Sequence, residues 1–483
     1  MRAVDPLLTT DDWKSHLKTF EDEARASELP NNNRYLDLIR AIERLEMMQA
    51  DEEGTEPAIL HGQGGKLELL SEITSMLWNL FRDSDDLQYL HSFIHFQTKA
   101  IQCTPNSSSD RLDRLFDLCV AYRHRFDHTG YVEDISAAID FNAGSLVFRP
   151  RDREDFSTTR LNHLGELHQL LYERRGDSQA AVHAVDFKWL ALQTISDSHP
   201  DWVEYLRGLG VSHLSRFECI NFLGDIDISI ECLEAAVSLV SNRHLEKPGW
   251  LTDLGIAYQT RHNCFGNLED LENAVKWNEQ ANTLASDDHP EKPRLLNNLV
   301  ASLLSRFMRM GRQEDVEKSV SCQKQAVLLT PDGHPYKPGR LNNLGIAHRL
   351  RYECLGRLED LDDASISLLQ ALLNIEKEDP QSPVIVNNLS AIYQKLFERG
   401  GWSFDLTKSI DCCHEASLLN RNPQFDSMIL NNLGVSHKLL FQHEKGREDI
   451  DKAIDYLERA VSLTPHGHLQ KPEQLTNLVN QLP

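Results

Sequence analysis

The chain has 483 residues, with 74 acidic side chains against 50 basic ones and a formal net charge of −24. A surface of that sign repels phosphate backbones, which argues against nucleic-acid binding by counterion release and favours basic or neutral peptides as partners. No uncharged apolar run approaches the ~18 residues that cross a bilayer, and Met1–Thr10 lacks the basic start and apolar core of a secretion signal. The nine cysteines are odd in number and lack zinc-finger spacing, and the one close pair, Cys412 and Cys413, is adjacent. They read as reduced thiols, so the expected location is the cytoplasm.

Residues 1–33 carry mixed charge and one candidate amphipathic helix around Asp11–Ala26, and are expected to be partly disordered. Residues 34–49 read as a helix with Leu38, Ala41 and Ile42 in register, followed by a Gly- and Glu-rich loop over 51–66. Together, 34–66 form a capping helix and loop ahead of an array that fills 67–483.

Within the array, a Leu-x-x-Leu-Gly pattern starts at Leu70, Leu115, Leu161, Leu206, Leu251, Leu296, Leu341, Val386, Leu430 and Leu475, every 44 to 46 residues. Each unit has two halves. In the unit from Leu251, the residues Leu251, Leu254, Gly255 and Tyr258 mark one face of a first helix, and Leu268, Leu271, Ala274, Val275 and Asn278 mark one face of a second. Gly130, Gly176, Gly266, Gly311, Gly356 and Gly401 stop the first helix. Pro248, Pro293, Pro338, Pro383 and Pro472 open the next one. An irregular stretch around Gly144–Thr159 lengthens one join. Small residues recur where helices must cross closely: Gly165, Gly210, Gly255, Gly345 and Gly434 in the first helix, Ala138, Ala184, Ala274, Ala364 and Ala453 in the second. An aromatic anchor follows seven residues later, as at Phe81, Phe126, Phe217 and Phe397, with His262 breaking the series. Short joins between successive helices require antiparallel neighbours. The fold class is therefore all-α, an α-solenoid of antiparallel helix pairs with a period of about 45 residues.

These positions resemble the tetratricopeptide repeat (TPR): Leu251, Leu254, Gly255 and Tyr258 match its first helix, and Ala274 and Ala281 suit the alanine sites of its second. The resemblance implies a TPR-like superhelix. The period exceeds the family norm of 34, and the excess is expected as longer helices, mainly over Tyr258–Gly266. The wording of the repeat is similar to long fungal arrays that precede caspase-like (CHAT) domains. The chain ends inside a first helix, which reads as a truncated product lacking such an effector.

Five asparagines, Asn162, Asn297, Asn342, Asn387 and Asn431, directly follow the first Leu of the motif. In TPR proteins that position faces the concave groove, where an amide can clamp the main chain of an extended peptide. The second asparagines, Asn298, Asn343, Asn388 and Asn432, are expected between repeats. Arg216, Arg261, Arg306 and Arg351 are expected to pair with the acidic Leu-Glu-Asp-Leu segment of the same hairpin. His199, His244, His289 and His334 read as turn residues, too far apart to share a metal ion, and Cys219, Cys264 and Cys354 as small apolar residues. No nucleotide, zinc-protease or serine-hydrolase motif is present, and no catalytic, cofactor or metal residue is assigned. The function expected is a protein- or peptide-binding scaffold. The alternative is the sensing arm of a CHAT-type protein.

Overall fold

The computed structural model describes residues 37–45, 62–146, 154–377, 379–422, 425–464 and 471–479. Among them there are helices and no strand. The expectations for 1–33, and for most of the loop over 51–66, lie outside the described residues. Two compact units divide the chain, 1–239 and 240–483.

In the first unit, α1 (37–45) is followed by α2 (Gly62–Ser84) and α3 (Leu87–Cys103), α4 (Ser109–Thr129) and α5 (Val132–Ser145), α6 (Glu154–Arg175) and α7 (Ser178–Gln193), and α8 (Trp202–Ile220) and α9 (Gly224–Leu239). Two sequence expectations need correction here. Residues 62–66 begin a helix instead of ending a loop, and helix persists to Ser145 and resumes at Glu154, so the irregular join is shorter than expected. Leu38, Ala41, Ile42 and Leu45 of α1 are buried in one apolar cluster with Leu70, Ile73 and Phe93.

In the second unit, α10 (Lys247–Phe265) pairs with α11 (Leu268–Leu284), α12 (Lys292–Met310) with α13 (Gln313–Leu328), α14 (Lys337–Leu355) with α15 (Glu359–Leu373), α16 (Ser382–Gly400) with α17 (Ser403–Leu419), and α18 (Asp426–Glu444) with α19 (Arg447–Leu463). Then α20 (Lys471–Val479) follows. In both units the even-numbered helix packs on the helix after it, which in turn packs on the next even-numbered helix. Each unit is thus a solenoid stack of helix pairs. The helices are long: α8, α10, α12, α14, α16 and α18 each run 19 residues. That accounts for a period above the TPR norm.

Local chemistry explains the boundaries. Gly130, Gly266, Gly311, Gly356 and Gly401 adopt left-handed φ near +70° and donate their N–H to the anchor carbonyl four residues back, as Gly266 does to His262 at 2.7 Å. Where glycine is absent, Asp85, Asn221 and Lys445 take the same conformation, at φ of 59°, 55° and 61°. The crossing glycines are sterically required. A Cβ on Gly345 would fall 2.8 Å from Leu368 Cγ, and one on Gly434 would fall 2.5 Å from Leu457 Cγ. The partner alanines Ala138, Ala184, Ala274, Ala364 and Ala453 are fully buried. The aromatic anchors are less uniform than expected. Phe81, Phe126, Phe217 and Phe397 are buried, Tyr172, Phe307, Tyr352 and Phe441 only partly. His262 keeps the buried place, with Nδ1 2.7 Å from the Asn267 carbonyl.

Candidate functional site

The first turns of the even-numbered helices in the second unit carry the asparagines. At four joins the side-chain amide at the second position donates to the side-chain carbonyl of the first asparagine one repeat earlier. Asn343 Nδ2 reaches Asn297 Oδ1 at 2.9 Å, Asn388 reaches Asn342 at 2.8 Å, Asn432 reaches Asn387 at 3.0 Å, and Asn477 reaches Asn431 at 3.1 Å. Asn432 Nδ2 also faces the Asn387 main-chain carbonyl at 3.4 Å, which identifies it as the donor. Asn343, Asn388 and Asn432 therefore sit between repeats, as expected, whereas Thr252 stands where Asn298 would find its partner.

Four of the five first asparagines join this ladder. Each accepts through Oδ1, and none of their Nδ2 groups makes a hydrogen bond within the described residues. Asn387 is nearly enclosed, at 2% exposure, and Asn342 is exposed by 9%. Asn162 stands apart. Its Nδ2 donates to Glu166 of its own helix at 2.8 Å, and Gly208 occupies the position where a second asparagine would reach it.

A cavity of about 460 Å³ opens over the ladder and is lined by Asn387, Asn388, Asn431, Asn432 and Asn477. Its rim carries charge of both signs. Arg349 pairs with Glu353 at 2.5 Å and Lys395 with Glu398 at 2.8 Å, while Lys438 also lines it. The groove is thus close to neutral on a strongly acidic chain.

In both units charge locks several of the hairpins. Arg216, Arg261, Arg306 and Arg351 meet Asp225, Asp270, Asp315 and Asp360 at 2.6, 2.7, 2.7 and 2.5 Å. Each arginine uses two nitrogens, the strong bidentate form. Arg125 makes the same clasp with Asp134 at 2.6 Å, a pair the sequence reading passed over. His213 and His348 add a second donor to Asp225 and Asp360, each at 2.7 Å. Burial alone would raise these carboxyls, yet the bonds from arginine and histidine hold Asp225 and Asp360 below the ordinary carboxylate value. Asp405 is the internal contrast. Leu396 stands where the arginine would be, and burial pushes the Asp405 carboxyl up. His348, Asp360 and Asp363 bring three donor atoms within 4.8 Å of one another, a spacing a metal could use. Arg351 already spans Asp360 with two nitrogens, and its charge opposes a cation there, so the grouping works as a clasp.

The turn histidines also have defined work. Nδ1 of His199, His289 and His334 accepts the backbone N–H two residues on, at 3.1, 3.1 and 3.2 Å, and His244 does so at 3.3 Å. The lysine before four of the five helix-opening prolines, which the sequence reading missed, caps the preceding helix, and Ser382 precedes Pro383. Lys292 Nζ donates to the carbonyls of Asn282 and Ala285 at 2.7 and 2.8 Å, and Lys337 to those of Val327 and Thr330 at 2.9 and 2.7 Å. The recurring Lys-Pro pair was the available signal.

Cysteine chemistry is unpromising for catalysis. Burial pushes the Cys119 and Cys413 thiols up to about 12, far from a reactive thiolate. Cys119 does lie 3.3 Å from His163 Nδ1, but the thiol is fully buried. Cys264 is exposed rather than packed as an apolar residue.

Lys188 is a further surprise. It lies over Gly165 at the place held by Leu233, Leu368 and Leu457 in other repeats, is 4% exposed, and donates only to the Gly208 carbonyl at 3.2 Å. Burial lowers its pKa to about 8.

No protein-family model and no curated protein matches this chain. Solved structures do. A Pseudomonas aeruginosa PilF structure is 15% identical over 57% of this chain and 96% of its own, with a TM-score of 0.37. A Podospora anserina putative kinesin light chain with TPR-like repeats is 18% identical over 45% of this chain and 99% of its own, with a TM-score of 0.34. The Naa15/Naa10 complex bound to HypK is 12% identical over 97% and 78%, with a TM-score of 0.39. The repeat geometry described above, not these low scores, defines the fold. Among the described residues no helix is long and apolar enough to cross a membrane.

Proposed function

We propose that the chain is a TPR-type scaffold that holds a segment of a partner protein in extended form along the asparagine ladder of its second unit. One observation carries this reading: Asn297, Asn342, Asn387 and Asn431 spend their carbonyls on the ladder and keep their N–H groups for something else. A row of amide donors at one helix position suits main-chain carbonyls. Packed helices lie about 8–10 Å apart and an extended chain rises about 3.3 Å per residue, so successive amides meet about every third residue of a ligand. Such binding reads main chain more than side chain. The mixed charges at the rim admit neutral or basic segments. The net charge of −24 speaks against nucleic acid, and the cysteines fit a reducing compartment such as the cytoplasm. No catalytic role is assigned.

Replacing Asn342 and Asn431 together with aspartate tests the reading. Aspartate keeps an oxygen for the ladder but has no N–H to offer. Probed against immobilised random linear peptides, the parent chain is expected to bind many sequences with little selectivity. The double variant is expected to lose most of that signal while its melting temperature holds. Equal binding by both proteins, or none by the parent, would defeat the proposal.

A further inference from the structure

A second row runs beside the asparagine ladder. Four residues after Asn297, Asn342, Asn387 and Asn431, one turn further along the same helix face, stand Ala301, Ile346, Ala391 and Val435, and Ile256 holds that place one repeat earlier. All five are apolar, yet none is buried. Ala301 is exposed and the other four are partly exposed. The first unit interrupts the row with Glu166 in α6.

The cavity over the ladder reaches this row. Ala391 and Val435 line it together with Asn387 and Asn431, and Met428 and Leu439 add apolar wall. Asn387 points independently to a ligand. It is 2% exposed, its Oδ1 accepts from Asn432, and its Nδ2 has no partner but opens into the cavity. The charged residues of the rim stand one or two turns further along the helices, where Arg349 with Glu353 and Lys395 with Glu398 neutralise each other.

Size alternates along the row. Ile256, Ile346 and Val435 are branched, and Ala301 and Ala391 between them are short. The two alanines therefore leave recesses two repeats apart. At about 8–10 Å per packed helix, two repeats span about 16–20 Å, which an extended chain covers in about five to six residues at about 3.1–3.3 Å each. Of these steps, only i to i+6 restores the side-chain direction in both extended forms, since a β-like chain repeats every second residue and a polyproline chain every third. A bulky apolar side chain in either recess removes apolar surface from water on both partners. A charged one would lose its water there without gaining a partner.

We infer, building on the ladder reading above, that the bound segment carries two bulky apolar side chains at positions i and i+6, seated over Ala301 and Ala391, with a small residue facing Ile346 between them. The asparagines hold the main chain, and the apolar row sets the register.

Fluorescence anisotropy of labelled peptides against the full chain tests this. A serine–alanine host peptide carries leucine at i and i+6, at i and i+5, or nowhere. The i, i+6 peptide is expected to bind about tenfold or more tighter than the i, i+5 peptide of identical composition. Ala301→Leu, at an exposed position where folding is safe, and Ala391→Leu each fill one recess. Each is expected to bring the two leucine peptides to equal affinity and to leave the leucine-free host unchanged. Asn342→Asp combined with Asn431→Asp is expected to weaken all three peptides together, because it acts on main-chain binding. Equal binding of the two leucine peptides by the parent, or a preference that survives both alanine variants, would overturn this register and leave the ladder standing. No binding of any peptide by the parent would overturn both.

Discussion

The two units use one hairpin and one period but join their repeats differently. In the second, the same amide-to-amide bond recurs at four successive joins, from Asn297–Asn343 to Asn431–Asn477. In the first, other contacts stand in the place of that amide pair. Phe116 packs edge-on against His163 with centroids 5.6 Å apart, Lys188 reaches the Gly208 carbonyl, and Gln169 bridges Ser212 and Ser215. A uniform join leaves identical unused donors in a row, which suits an extended ligand. The joins of the first unit leave no such row. Repetition of the fold thus does not imply repetition of the surface.

The largest effect should come from a feature both units share. Arg125 and Asp134 are both almost fully buried, so Arg125→Met strands a carboxylate and is expected to destabilise the first unit by about 3–5 kcal/mol in urea unfolding. A loss under about 1 kcal/mol would mean that the clasp is dispensable and that the joins do the work.

Lys188→Leu should act in the opposite direction, and only in the first unit. Leucine already fills the equivalent place at Leu233, Leu368 and Leu457. A lysine lowered to about 8 by burial costs on the order of 2–3 kcal/mol at neutral pH, which the variant should recover. The pH dependence gives a sharper check. The unfolded lysine holds its proton up to about 10.4, whereas the folded one releases it near 8. Between those values the unfolded state binds more protons, so stability of the parent should rise with pH, and the variant should lose that rise.

The ladder itself is measured by a double-mutant cycle on Asn387→Ala and Asn432→Ala. Each single change is expected to cost about 1–2 kcal/mol, with a coupling of about 0.5–1.5 kcal/mol. The corresponding pair in the first unit, Phe116 and His163, should couple through ring contact instead. Coupling near zero between the asparagines would reduce the ladder to a geometric coincidence.

The smallest effect is expected at Gly266→Ala, about 1 kcal/mol. Nothing stands within 4 Å of the new methyl group, so the whole cost is the left-handed φ of +73°. The tolerance of Asn221 and Lys445 for the same conformation sets the upper limit.

Much of this was legible before any coordinates. The crossing glycines, the stop glycines and the Arg–Asp spacing of nine all follow from helix periodicity, because their partners lie within one hairpin, close in sequence. Asn343, Asn388 and Asn432 were correctly placed between repeats. The lysine caps were visible as a recurring Lys-Pro and were overlooked, as was the lone lysine at a place that leucine holds in three other repeats. The difference between Asn162 and the other four first asparagines could have been suspected from Gly208, the residue facing it one repeat on.

Sequence alone settled the period, the class of fold and the charge that disfavours nucleic acid, because these depend on residue type and short-range spacing. Which amide hydrogens remain unused and which lysine is sealed from water were decided only by the tertiary structure. Each of those facts depends on how neighbouring helices are set against one another. An offset of one residue across a 45-residue period gives each side chain different partners.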